Sequence, residues 1–263
     1  MAIVNLFVDV FVGIGAGLIA GLLGTGNSLV VLPALMFSFY KQYPVSIALL
    51  MAVATNLAIC GVSIFFTTLF HHKHVKTDWN ILKITAPAYF LASIIGPRVA
   101  HLLPVNILKI LIIIFIFFAA VTLMLKEKPA KPNYLPSSYN LFASSFVITF
   151  LSSITGMATG VLFVPYLSWL RVDIKKAISI ALPGAVIFSF TAMVGYIITG
   201  WGNPLLPKWS LGYVYLPSAV IISVFAAIFS VYGVRLHQKI NISKLRKVFA
   251  LLLIIAGCVA LKI

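Results

Sequence analysis

The chain has 263 residues, 62% of them hydrophobic and 9% charged, with a net charge of +15. A soluble domain carries about 25% charged residues, so there is too little polar material here to coat a globular surface. Apolar runs of about 20 residues recur along the whole length, which excludes a soluble enzyme or binding domain and identifies a polytopic, all-α membrane protein.

In chain order the apolar segments are 4–39, 44–70, 80–102, 105–125, 139–169, 177–199, 210–235 and 245–262. The opening "MAIVNLFVDVFVGIG" has no basic leader and runs into a long membrane segment, so it does not read as a cleaved signal peptide. Cys60 and Cys258 each fall in an apolar segment and read as small core residues rather than a disulfide or a metal site. The longest polar break, 126–138, is rich in Pro and Lys. It reads as a cytoplasmic linker (127–138) between an N-terminal repeat (1–126) and a C-terminal repeat (139–263).

The two halves resemble each other. "GLLGTGNSLVVLPAL" (21–35) lies over "SSITGMATGVLFVPYL" (152–167), with Gly24 on Gly156 and Pro33 on Pro165. "PRVAHLLPVNILKILIIIF" (97–115) lies over "VRLHQKINISKLRKVFALL" (234–252) with one inserted residue. Weak internal similarity of this kind marks a duplicated membrane fold.

Segments 4–39 and 139–169 are too long for one crossing, since a helix rising about 1.5 Å per residue spans the hydrocarbon in about 20 residues. Each carries a Gly-rich interruption in its middle, so each is expected to be a hairpin of two short helices, with Pro33 closing the first interruption. The basic residues support this. If both long segments return to the side they entered, fourteen of the nineteen Lys and Arg fall on one side and five on the other. Single crossings would divide them eleven to eight. The positive-inside rule favours the first division. It predicts cytoplasmic loops at 71–83, 126–138, 171–176 and 235–247, with both termini outside. Each half then crosses an odd number of times, giving two inverted repeats, each a Gly-broken hairpin followed by three transmembrane helices. Basic residues placed in such loops read as topology signals and lipid-phosphate contacts, with no nucleic-acid partner.

Acids are scarce: Asp9, Asp78, Glu127 and Asp173 are the whole set. Only Asp9 lies in an apolar run, so the interior suits an anion better than a cation held by carboxylates. Non-helical backbone inside a bilayer must be satisfied by protein or line a wet cavity, and a helix that starts there presents free N–H groups and a partial positive charge. The first break offers Gly24, Thr25, Gly26, Asn27 and Ser28, with backbone N–H groups from Gly26 to Leu29. The second offers Thr155, Gly156, Thr159 and Gly160. Thr55 and Asn56 are further candidate donors, and Pro183 and Gly184 can open the corresponding helix of the second half. Together these define a charge-free pocket for a small anionic substrate, with Arg98 and Arg235 attracting anions at the two entrances.

Small-residue packing explains Gly13, Gly15 and Gly17 without a site. Trp79, Trp169, Trp201 and Trp209 fit interfacial anchors. "HHKH" (His71, His72, His74) carries the alternative reading, a metal-handling or membrane-assembly factor. An anion channel is a third. No acid pair lies in a membrane segment and no G-x-S-x-G, H-E-x-x-H or phosphate loop is present, so no enzyme and no cofactor is expected. The sequence leaves the oligomeric state open.

"GAGLIAGLLGTGNSLVVLPAL" (15–35) resembles the opening motif of the TauE/SafE sulfite exporter family, and "SSITGMATGVLFVPYL" resembles its second copy. "AVATNL" (52–57), "HHKHVKTDW" (71–79) and "IGPRVAHLLPVNILKILIIIF" (95–115) extend the likeness over nearly the whole chain. The resemblance implies a multi-pass protein of the plasma (inner) membrane that moves small sulfur oxyanions or organosulfonates such as sulfite or sulfoacetate. The chain departs from the family pattern at Asn27 and Ser28, where Gly is usual, and reads Met157, Ala158, Thr159 in the second copy.

Overall fold

The computed structural model describes residues 2–23, 27–72, 77–124, 136–237, 250–251, 253–255, 257 and 258. Gly24, Thr25, Gly26 and His74 lie outside the described residues, as do most of the 127–138 linker and the 238–249 stretch. The first long segment forms α1 (Ala2–Leu23) and α2 (Ser28–Tyr40), followed by α3 (Val45–His72), α4 (Trp79–Leu102) and α5 (Val105–Met124). The second forms α6 (Ser138–Thr155) and α7 (Gly160–Trp169), followed by α8 (Ile174–Thr199) and α9 (Leu216–His237). Residues described beyond 249 are helical, and Gly257 packs on Phe117 and Ile116 of α5. α3, α5, α8 and α9 each contain an apolar stretch long enough to cross a membrane.

The second long segment therefore breaks at Gly156, and the first gives two helices, one ending at Leu23 and the next starting at Ser28. Two expectations are corrected. Pro33 does not close the first break: it lies inside α2, as Pro165 lies inside α7, and each removes one helical N–H. The apolar run beginning at 210 is not helical from its start. Ser210–Leu211 and Val214–Tyr215 pair as an antiparallel hairpin, which Gly212 turns at φ +53°, and the helix begins at Leu216.

Contacts along the helices define their directions. Asp9 accepts a hydrogen bond from Ser218 at 2.6 Å, Gly13 sits against Ile222 and Phe225, and Gly17 against Ala226 and Phe229. α1 and α9 thus run side by side in the same sense, away from the hairpin. α2 returns, because Phe39 near its end meets the Tyr215 ring edge-on with centroids 5.8 Å apart. Both ends of the first broken segment lie at the hairpin end of the bundle.

The second segment behaves the same way at the other end. Leu141 at the start of α6 and Leu167 near the end of α7 share one buried cluster with Ile81 and Val172. That cluster lies at the starts of α4 and α8. The opposite ends of those helices meet the hairpin, where the Tyr213 hydroxyl and His101 Nδ1 are 2.9 Å apart and the Tyr213 N–H donates to the Tyr196 carbonyl.

Packing partners are reciprocal: α1 lies on α9 and α6 on α4, α2 on α3 and α7 on α8, while α3 and α8 meet each other. Glycine makes the tightest of these approaches. A methyl at Gly17 would stand 2.5 Å from the Ala226 carbonyl oxygen, whereas nothing lies within 4 Å of one at Gly15. In a bilayer, where hydrophobic burial drives helices together only weakly, such close approach carries the association. Gly17→Leu is expected to cost about 1–3 kcal/mol by overpacking and Gly15→Ala to stay within about 0.5 kcal/mol. Thermal melting of the detergent-solubilised protein distinguishes the two.

Candidate functional site

The offset that places Gly24 on Gly156 places Asn27 on Thr159, and each is the residue just before a new helix. The Asn27 carbonyl accepts from the Val30 and Val31 N–H groups, and the Thr159 carbonyl from Leu162 and Phe163. Neither side chain caps its own helix. A cap is the ordinary use of Asn or Thr at such a position, so here both are free for other contacts.

Asn27 uses that freedom on α3. Its Nδ2 donates to Ser63 Oγ at 2.9 Å, and its Oδ1 accepts from Cys60 Sγ at 2.9 Å. Ser28 Oγ lies 3.0 Å from the same sulfur. Asn56, Cys60 and Ser63 are spaced by four and three residues and so form one face of α3. This polar ladder stands against the first break.

The two breaks are also tied to each other. The Ala158 N–H donates to Ser28 Oγ at 2.8 Å, and Asn56 Nδ2 donates to the Gly156 carbonyl at 2.6 Å. Gly156 sits at φ +75°, and a Cβ there would be 2.9 Å from Val53 Cα. Both the left-handed conformation and the closeness of α3 require glycine. Asn27, Ser28, Asn56, Met157, Ala158 and Thr159 are fully buried. Among the described residues this central group contains no ionised side chain, so its polarity comes from amides, hydroxyls, one thiol and two helix N-termini.

The other candidates divide. Thr159 Oγ1 is buried without a hydrogen-bond partner and remains available. Thr155 is spent on its own helix, donating to the Leu151 carbonyl, and Gly160 is the first residue of α7. Thr55 accepts from the Tyr215 N–H and so anchors the hairpin instead of facing the breaks. Gly184 carries the ring of Tyr89 against its backbone, a packing role. Arg98 is exposed near the end of α4 at the hairpin end, and Arg235 lies at the far end of α9.

Cys60 and Ser63 are participants that sequence reading missed. Their spacing from Asn56 was the available signal, but serine and cysteine in an apolar helix read equally well as packing residues. The acids have local partners: Asp78 accepts from the Asn80 and Ile81 N–H groups and caps α4, and Asp173 accepts from the Lys176 N–H. Trp79, Trp169, Trp201 and Trp209 are exposed, as anchors at an interface would be.

Removing Asn56 leaves a buried carbonyl unpaired inside the bundle, a loss of about 1–3 kcal/mol. Asn56→Leu should therefore lower the melting temperature more than Val147→Leu, a change on the outward face of α6. Thermal melting of the two purified variants checks this.

The profile of the sulfite exporter TauE/SafE family matches residues 10–260. A "Probable membrane transporter protein" of Haemophilus influenzae is 29% identical over 248 residues, covering 94% of each chain. "Probable membrane transporter protein MJ0441" of Methanocaldococcus jannaschii is 24% identical over 94% of this chain and 92% of its own. "Probable membrane transporter protein YunE" of Bacillus subtilis is 26% identical over 95% and 94%. No solved structure matches the chain. A Gly-broken, multi-pass helical bundle that matches this profile over nearly its whole length belongs to the sulfite exporter TauE/SafE family of membrane transporters.

Proposed function

We propose that the chain is a secondary transporter that exports a small anion, a sulfur oxyanion or organosulfonate such as sulfite or sulfoacetate, by alternating access around the two breaks. One observation carries this reading: two helix N-termini, α2 and α7, are brought together at a buried, uncharged centre through Ser28 and Ala158. Paired N-terminal dipoles favour an anion there. Asn27, Ser28, Asn56 and Thr159 supply neutral donors, and neutral donors hold an oxyanion without the tight electrostatic trap that a buried Arg would make. Gly24, Thr25 and Gly26 belong to the same site in this reading.

Inverted repeats are supported by the reciprocal packing and by the return of each broken segment to its own end of the bundle. In this arrangement the residues near 79, 138 and 174 face the cytoplasm and the hairpin faces outward. Arg98 and Arg235 then stand at opposite faces, each drawing anions toward an entrance. Alternating access follows from one repeat rocking against the other, which inverted repeats permit. An inside-negative potential of about 100 mV drives a monovalent anion outward with about 2.3 kcal/mol, the sense that favours export in the plasma (inner) membrane.

The test is a thermal-stability titration of the purified protein with sulfite, thiosulfate, sulfate, sulfoacetate, phosphate and Zn²⁺. Selective stabilisation by one sulfur anion is expected, reduced at least tenfold in apparent affinity by Asn27→Leu and by Thr159→Val. Replacing His71, His72 and His74 together by Ala should leave it unchanged. Stabilisation by Zn²⁺ alone, lost in the triple-histidine variant, would overturn the anion reading in favour of metal handling.

A further inference from the structure

Serine and threonine in an apolar helix usually return their hydroxyl to a carbonyl three or four residues back. On α6, Ser144, Ser153 and Thr155 do so, at 2.6, 2.8 and 2.9 Å. Ser145, Thr149 and Ser152 do not. All three are fully buried and none is hydrogen-bonded to the backbone. Spaced by four and three residues, they occupy one face of the helix. The Tyr89 hydroxyl, also buried, stands beside the Ser145 hydroxyl and interacts with it, and neither has another hydrogen-bond partner. Its ring bridges to Gly184 of α8 and meets Phe163 of α7 edge-on at 6.1 Å.

These hydroxyls form a column with two distinct ends. One end, at Ser152, adjoins the second break, where the Thr159 hydroxyl is likewise buried and unpartnered. The other end meets the apolar cluster of Ile81, Leu141, Phe163 and Leu167 at the starts of α4 and α6. Among the described residues, α1 carries no such row of unpartnered hydroxyls. The same offset places Gly13 and Gly17 at the positions of Ser145 and Thr149, and there the glycines let α9 close directly on α1.

A polar group withdrawn from water without a partner is costly in a membrane interior. Thr149 and Ser152 with no partner, and a Tyr89–Ser145 pair with none beyond itself, on one seam where other hydroxyls of α6 are satisfied, point to a ligand they share. We infer that Tyr89, Ser145, Thr149 and Ser152 line a hydrated half-path for small oxyanions, leading from the end of the bundle that carries the starts of α4, α6 and α8 to the second break. Tyr89 with Phe163 is its constriction. The inference rests on the transport reading above and adds the route by which substrate reaches the site from the cytoplasmic side of that reading.

The test uses single cysteines at 145, 149 and 152 in a Cys60→Ser, Cys258→Ala background, with Val147→Cys on the outward face as the reference. A negatively charged, membrane-impermeant methanethiosulfonate is applied to either face of oriented vesicles. All three column positions should react at least tenfold faster than Val147→Cys, only from the face bearing residues 79, 138 and 174, and more slowly with sulfoacetate present. Reaction no faster than Val147→Cys, or reaction only from the hairpin face, overturns the path. A measurement on the unaltered chain guards against misfolded variants. Hydroxyl-radical footprinting should oxidise Tyr89 several-fold faster than Tyr196, which is equally buried but donates to the Ser153 carbonyl. Equal rates would overturn the path. Fast one-sided labelling that no anion slows upholds the hydrated path and counts against the anion reading, so the two fail separately.

Discussion

Backbone that leaves the helix inside a membrane must find its hydrogen bonds within the protein, and the rest of this structure is organised around that requirement. The second break meets it through side chains of distant elements. Ser28 receives the Ala158 N–H and Asn56 reaches the Gly156 carbonyl. These bonds place α3 between the two breaks, force Gly156 into the left-handed region against Val53, and leave no room for a larger residue there. The same requirement concentrates the polar side chains of a very apolar chain at its centre.

In the proposed function, the groups that hold the breaks together are also the ones a substrate uses. Each such bond contributes only about 0.5–1.5 kcal/mol net, so an anion accepting from the same donors can replace them at little cost. A carrier needs this property, because its site must open and close without unfolding. The firm packing lies elsewhere, at the glycine-mediated α1–α9 contact and the matching α4–α6 contact, where Gly96 lies against Ser153. Rigid seams flanking a loosely bonded centre suit rocking of one part against another.

Much of this was legible in the sequence. Segments 4–39 and 139–169 exceeded one crossing, and their glycines marked where α1 and α6 would end. Gly13, Gly15 and Gly17 were read alike as packing residues, yet only Gly13 and Gly17 pack on α9, while nothing lies within 4 Å of a methyl at Gly15. Pro33 was read as closing the first break, yet it stands inside α2, where neighbours in the bundle can satisfy the carbonyl it frees. The hairpin at 210–215 was missed because "SLGYVYLP" is as apolar as a helix, and only the turn at Gly212 sets it apart. Cys60, Ser63 and the unpartnered face of α6 could not be ranked, since a hydroxyl bonded to its own helix and one directed at a ligand have the same sequence. Thr55 and Thr155 were chosen for position, and their hydroxyls proved committed to the hairpin and to α6.

The account turns on carrier-type exchange of a sulfur anion at the centre, and proteoliposome counterflow addresses it most directly. Vesicles containing the purified protein, preloaded with unlabelled sulfite, would be exposed to radiolabelled sulfite outside. The account predicts saturable uptake that the internal sulfite accelerates and that external phosphate does not inhibit. Uptake that rises linearly with concentration and is indifferent to internal sulfite would mean a channel. No uptake of any sulfur anion by folded protein would contradict the account outright.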